Sequence, residues 1–160
     1  MRSDISRLYE VSKHKNTIMQ MLINDENIVK AIGNNESNFL DITYPNQTRE
    51  LLFNNIFPYP FVPDIEDEQK TYITLSLQSR SGGKYYKVGS IIFYVFTHYN
   101  LLKTDYPEIR TDYLMHKIDS LFHESDAFGI GELQFVRQSD LLVTKSHYGV
   151  LIEYRDLAFD

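Results

Sequence analysis

The sequence predicts an α+β domain in which one main helix covers one face of an antiparallel sheet of about four strands. Ile91 to Phe96 are six consecutive large apolar residues, which is typical of a strand covered on both faces. After a short link, a helical pattern follows, with apolar residues at Ile109, Tyr113, Leu114, Ile118, Leu121 and Phe122. Two alternating stretches come later, and the short links favour the order strand, strand, helix, strand, strand.

The composition is that of an ordinary globular protein. The 160 residues, 42% of them hydrophobic and 24% charged, suit a single domain over 1–160. There is no cysteine, so disulfides and thiol catalysis are excluded. No apolar run approaches the ~18 residues of a membrane helix, and no signal peptide or membrane contact is expected. A net charge of −6 argues against general nucleic-acid binding.

The first region, 1–55, is expected to be helical. Ser3 or Asp4 can cap a first helix, and a second apolar run follows at Ile18, Met19, Leu22 and Ile23. Asn24 is predicted to cap a short helix, and Gly33 to end it in the left-handed conformation. Thr48 is expected to begin one more short helix, through Leu51, Leu52 and Phe53.

A proline-rich segment, 56–70, is predicted to be an extended arm. Its prolines, Pro58, Pro60 and Pro63, exclude a helix interior and a central strand. The interleaved aromatic residues, Phe57, Tyr59 and Phe61, are too apolar for a free linker. We therefore expect the arm to press against the domain or against a neighbouring subunit.

The third region, 71–160, opens with a predicted β-hairpin. A short strand at Thr71–Leu77 leads to Gly82-Gly83, a pair that tolerates the positive φ of a tight turn, and then to a long strand at about Tyr85–His98. The tip of the hairpin is basic and aromatic: Arg80, Lys84, Tyr85, Tyr86 and Lys87. We expect a protein contact there rather than a nucleic-acid contact, since the chain as a whole is acidic.

The remaining elements are the main helix and two strands. Asp105 is predicted to cap the helix, with Pro107 in its first turn and Glu108 completing a capping box. Alternating patterns predict a third strand at Glu132–Gln138 and a fourth at His147–Leu157.

The long strand presents two apolar sets, and one helix can cover only one of them. One set is Ile91, Phe93 and Val95, and the other is Ile92, Tyr94 and Phe96. The second set is predicted to be an interface with another copy of the chain, with the N-terminal helices as the competing cover.

No motif predicts catalysis, a cofactor or a metal. His116 and His123 lie on one helix face, but about two turns apart, which is a poor spacing for metal ligands. The carboxylates of Asp112 and Asp119 are explained as a solvated helix face. We therefore predict a non-enzyme, although an enzyme with His and Tyr acid–base groups stays an alternative.

Three stretches resemble the small neck proteins of tailed bacteriophages, above all the tail terminators. They are IFPYPFVPDIEDEQKTYITLSL, IIFYVFTHYNLLKTDYPEIRTDYLMHKIDSLF and GIGELQFVRQSDLLVTKSHYGVLIEYRDLAF, which together cover roughly the last two thirds of the chain. The resemblance implies a structural virion protein, made in the bacterial host cytoplasm. It also implies a ring, with a hexamer favoured, that caps the tail tube and meets the head connector, while DNA passes through the lumen without specific binding.

Other assignments stay open. The resemblance fits another neck or head-completion connector as well as a terminator. A small adaptor outside phages is the alternative from a different class, and a stable monomer at high concentration would favour it.

Overall fold

The computed structural model describes residues 9–64, 68–82, 85–123 and 132–156, with the backbone alone for 80–82, 85–88 and 156. Three α-helices lie in this part of the chain: α1 (Tyr9–Ile23), α2 (Glu26–Gly33) and α3 (Arg110–Phe122). Five strands accompany them: β1 (Ile56–Phe57), β2 (Thr71–Gly82), β3 (Tyr85–His98), β4 (Leu133–Thr144) and β5 (His147–Asp156). Short 3₁₀ helices occupy Phe39–Asp41, Thr48–Leu51 and Tyr99–Leu101.

The strands form one sheet in the order β1-β2-β3-β5-β4. The four long strands pair antiparallel, as predicted, and β1 pairs parallel to β2 at the sheet edge. The α+β prediction is therefore confirmed, with a fifth strand added where the proline-rich arm begins. β2 and β4 extend past their predicted ends at Leu77 and Gln138, because each hairpin pairs along nearly its full length.

The main core lies between the sheet and all three helices. Ile91, Phe93 and Val95 of β3 point into it and are at most 1% exposed. One cluster joins them to Leu22 of α1, Ile28 and Ile32 of α2, and Leu114, Ile118 and Phe122 of α3. We call this side the helical face. The N-terminal helices thus share the face that α3 covers, and they leave the opposite side of the sheet to another cover.

A buried arginine connects two of these helices. The Arg110 side chain is 0% exposed, at the start of α3. Its Nη1 donates to the carbonyl oxygens of Ala31 at 2.7 Å and Asn34 at 2.8 Å, near the end of α2. The remaining N–H groups donate to Leu101, Asn35 and Glu36 carbonyls, and the guanidinium lies 4.5 Å from the centroid of the Phe39 ring. Burial lowers the pKa of Arg110 to about 10, so the group stays charged at neutral pH.

The predicted cap of the main helix is wrong. α3 begins at Arg110, and its N-cap residue, Ile109, makes no side-chain capping bond. Residues 105–108 instead form a bend in which the Thr104 hydroxyl donates to the Glu108 carbonyl at 2.6 Å. Pro107 therefore lies in this bend, before the helix. The start of α3 is set by the buried Arg110 network rather than by Asp105.

The ends of α2 also differ from the prediction. Asp25, not Asn24, is the N-cap, because its Oδ1 accepts from the Ile28 N–H at 3.0 Å. Gly33 is the last helical residue and does not have a positive φ. A Cβ at Gly33 would instead collide with the ring of Tyr44, so close packing explains this glycine. The predicted apolar run at Ile18, Met19, Leu22 and Ile23 belongs to α1, and the proposed caps Ser3 and Asp4 lie outside the described residues.

Candidate interaction surface

The side of the sheet away from the helices, which we call the arm face, is covered mainly by the arm. Phe57, Tyr72 and Phe96 form a second apolar cluster there, and Phe61, Tyr94 and Val143 pack against it. The rings of Phe57 and Phe61 stack with their centroids 4.1 Å apart and their planes 8° apart. Burial and the charge of Glu68 raise the pKa of Tyr72 to about 12, so this ring remains neutral. The arm thus presses on the domain, as predicted.

The prediction of an open second face needs correction. Ile92 is 5% exposed and Phe96 is 1% exposed within one subunit, and Phe96 packs in the cluster that Phe61 of the arm and Val143 of β4 adjoin. Phe57 is likewise buried, at 6%. Of the predicted set on β3, Tyr94 is the half-buried member. Whether this face meets another subunit stays a prediction, but its available surface is smaller than the sequence indicated.

What remains open on the arm face is an apolar groove of about 290 Å³. Pro60 and Val62 of the arm form one wall, Tyr94 and Phe96 contribute to the floor, and residues 141–143 of β4 form the other wall. Val62 is 59% exposed and Leu142 of β4 is 77% exposed. The described residues that line the groove are all uncharged. The groove therefore suits an apolar group from a partner, since apolar patches with this degree of exposure mark binding sites.

The hairpin tip extends past the rest of the sheet. The pairing of β3 with β5 ends at Ser90, whereas β2 and β3 continue to pair as far as Gly82 with Tyr85. This register confirms the predicted hairpin. Residues 83–84, including Lys84, and the side chains of the other tip candidates, Arg80, Tyr85, Tyr86 and Lys87, lie outside the described parts. Their role in contacts stays a prediction.

β4 forms the edge of the sheet opposite β1. Phe135 and Val136 are 44% and 43% exposed. The strand carries two register shifts, and its Arg137 forms an ion pair of 2.8 Å with Glu153 on β5. Burial alone would raise the pKa of Glu153, but hydrogen bonds from Arg137 and Ser90 outweigh that effect and lower it. Bulges and charges of this kind limit pairing with another strand. We therefore regard the groove, rather than this edge, as the better candidate site.

Among the described residues, no three His, Cys, Asp or Glu side chains lie close enough to hold a metal ion. His116 is exposed and lies 3.5 Å from Glu108, whereas Asp119 accepts a 2.6 Å hydrogen bond from the Tyr154 hydroxyl. Burial, with that bond, raises the pKa of Tyr154. The Tyr154–Asp119 bond joins β5 to α3, whereas the His116–Glu108 pair joins α3 to the bend before it.

Two features were missed by the sequence analysis. Arg110 was not singled out, since an isolated arginine in a polar stretch gives no sign of burial. Phe53 was placed in a short helix, but the 3₁₀ helix ends at Leu51, and Phe53 has a φ of 60° with its side chain 60% exposed. The following Asn54-Asn55 pair was the available sign of a turn.

The structure is a small α+β domain with an apolar groove on its arm face. A family model described as YomW matches residues 25–155, which is most of the chain. The chain therefore belongs to the YomW family, whose name is phage-associated. Neither the curated proteins nor the solved structures include a match. Among the described residues, no helix is long and apolar enough to span a membrane.

Proposed function

We propose that this protein is a structural component of a tailed-phage particle and forms a ring at the head–tail junction. The observation that carries the proposal is the apolar groove, with Val62 and Leu142 exposed on its walls, in a chain of a phage-associated family. A ring subunit needs such a surface because each copy must present one patch to a different patch on the next.

Within the particle, the favoured role is that of a tail terminator. A hexameric ring would cap the tail tube on one side and meet the head connector on the other. The net charge of −6 supports a lumen through which DNA slides, since an acidic wall repels phosphate. Another neck or head-completion connector is the alternative position.

The deciding experiment is to delete the gene from the phage or prophage that carries it and to image the products. Loss of a terminator removes the stop on tube growth, so overlong tails separate from filled heads are expected. Loss of a connector would leave tails of normal length that fail to join. Normal infectious particles from the deletion strain would refute the proposal. Electron microscopy of wild-type particles, with mass spectrometry of their proteins, should place this chain in the neck.

A further inference from the structure

Phe53 combines a strained backbone with an exposed aromatic ring. It is the one non-glycine residue with a positive φ in the described chain, at 60°, and its side chain is 60% exposed. The left-handed region is unfavourable for a bulky residue, and glycine or asparagine would suit it better. Packing in the subunit does not require this ring, because most of it faces solvent. Strain of this kind at an exposed residue points to a contact outside the subunit.

The turn around Phe53 is firmly anchored. The Phe53 N–H donates to the Ile56 carbonyl at 2.8 Å, and the Asn55 N–H donates to the Leu51 carbonyl at 2.8 Å. The buried Asn55 side chain donates to the carbonyl oxygen of Thr71 on β2 at 2.9 Å. The ring is therefore projected from a fixed turn next to β1, at the start of the sheet.

We infer that Phe53 of one copy inserts into the apolar groove of the next copy. The groove has no charged residue in the described part of its lining and includes the exposed Val62 and Leu142, whereas Phe53 is not one of the residues that line it. The Phe53 ring and the groove are thus different patches of one chain, which is the arrangement that builds a ring rather than a two-fold dimer. This inference rests on the proposed function and specifies the contact between ring subunits.

The area of such a contact explains why it should act within a closed ring. One phenylalanine buries about 150–250 Å², whereas a stable protein pair needs about 800 Å² from each partner. A single insertion is therefore too small to hold two free subunits together. In a ring, every copy makes two such contacts, and Phe53 adds to a wider interface between neighbours. We expect transient contacts in solution and lasting ones in the particle.

Disulfide trapping tests the contact directly, because the chain has no native cysteine. A chain carrying both Phe53→Cys and Val62→Cys should form a ladder of cross-linked oligomers on oxidation, in purified particles and in concentrated solution. The matched control carries Phe135→Cys with Val62→Cys, since Phe135 is also an exposed aromatic residue, at 44%. No ladder is expected from it. If the test pair forms no more cross-links than the control in either preparation, the inference is wrong.

The chain with both cysteines also separates a head-to-tail contact from a symmetric one. A head-to-tail contact extends the ladder past the dimer, because each cross-linked oligomer keeps a free cysteine at either end, whereas a two-fold contact uses both cysteines of each chain within one dimer. Cross-linking that stops at dimers would contradict the assignment.

Phe53→Gly then distinguishes this inference from the proposed function. The variant removes the ring and relieves the backbone strain, so its melting temperature should not fall, while its incorporation into the neck should drop at least tenfold. Normal incorporation of Phe53→Gly would show that Phe53 does not make the contact between subunits, while the proposed ring would still stand. Absence of the wild-type chain from the neck would instead refute the proposed function.

Discussion

Replacing Arg110 with methionine should test whether the buried guanidinium joins α2 to α3. Methionine keeps an unbranched apolar stem but removes the five hydrogen bonds to carbonyl oxygens of Leu101, Ala31, Asn34, Asn35 and Glu36. A buried acceptor left without a partner costs about 1–3 kcal/mol. Three of the five bonds are buried and two are partly buried. The substitution also removes the free-energy cost of burying the guanidinium charge, which offsets part of the destabilisation. We therefore expect a loss of about 3–5 kcal/mol in the free energy of unfolding.

Urea denaturation followed by circular dichroism gives that free energy. Arg110→Lys should cost less than Arg110→Met, because the lysine ammonium keeps the positive charge and can still donate up to three hydrogen bonds. It should still cost stability, because its donors radiate from one nitrogen and cannot replace the five donors of the guanidinium. The matched control is Arg137→Met, since Arg137 is half exposed and its ion pair with Glu153 should be worth less than about 1 kcal/mol. Equal losses at Arg110 and Arg137 would show that the network contributes little and that the reasoning is wrong.

Three further substitutions follow from buried or crowded positions. Thr111→Val should raise the melting temperature, since Oγ1 of Thr111 is buried without a hydrogen-bond partner in the described chain; a fall would reveal a partner. Burial, then Glu108 and Asp140, raise the pKa of Asp112 above 3.8, so its ionised form destabilises the fold. Asp112→Asn should therefore stabilise the protein at pH 7 and have little effect below pH 3.8, as measured by melting across pH; a pH-independent effect would contradict this. Gly149→Ala should lower the free energy of unfolding, measured by urea denaturation, by about 1–3 kcal/mol, because a Cβ there would overlap the backbone of β3. An unchanged urea midpoint would show that β3 shifts to accommodate the methyl group.

The long strand and the sheet were predictable because their patterns are local. The limits of β3 agree with the prediction at Tyr85–His98, and the glycine pair before it correctly indicated the hairpin. The start of α3 was not predictable, because it depends on Arg110 reaching carbonyl groups more than 70 residues earlier in the chain. The local sequence pattern favoured a helix capped by Asp105, but α3 begins at Arg110, where the hydrogen bonds of its buried guanidinium are made.

The candidate site was only partly predictable for the same reason. The apolar character of Phe57 and Phe61 correctly indicated that the arm needs cover. The sequence did not show that the arm would itself cover Phe96, which turned a predicted open face into a narrow groove. The family match supports a phage-related protein, whereas the position in the neck remains a proposal.

The arm has two roles that make it sensitive to whatever occupies the groove. Its Phe57 and Phe61 seal the apolar cluster, while Pro60 and Val62 form a wall of the groove. Any group that binds the groove must also favour the docked arm, and by reciprocity a firmly docked arm raises the affinity for that group. In the proposed ring, assembly and subunit stability would therefore be thermodynamically coupled, and each added subunit would make its neighbour harder to unfold.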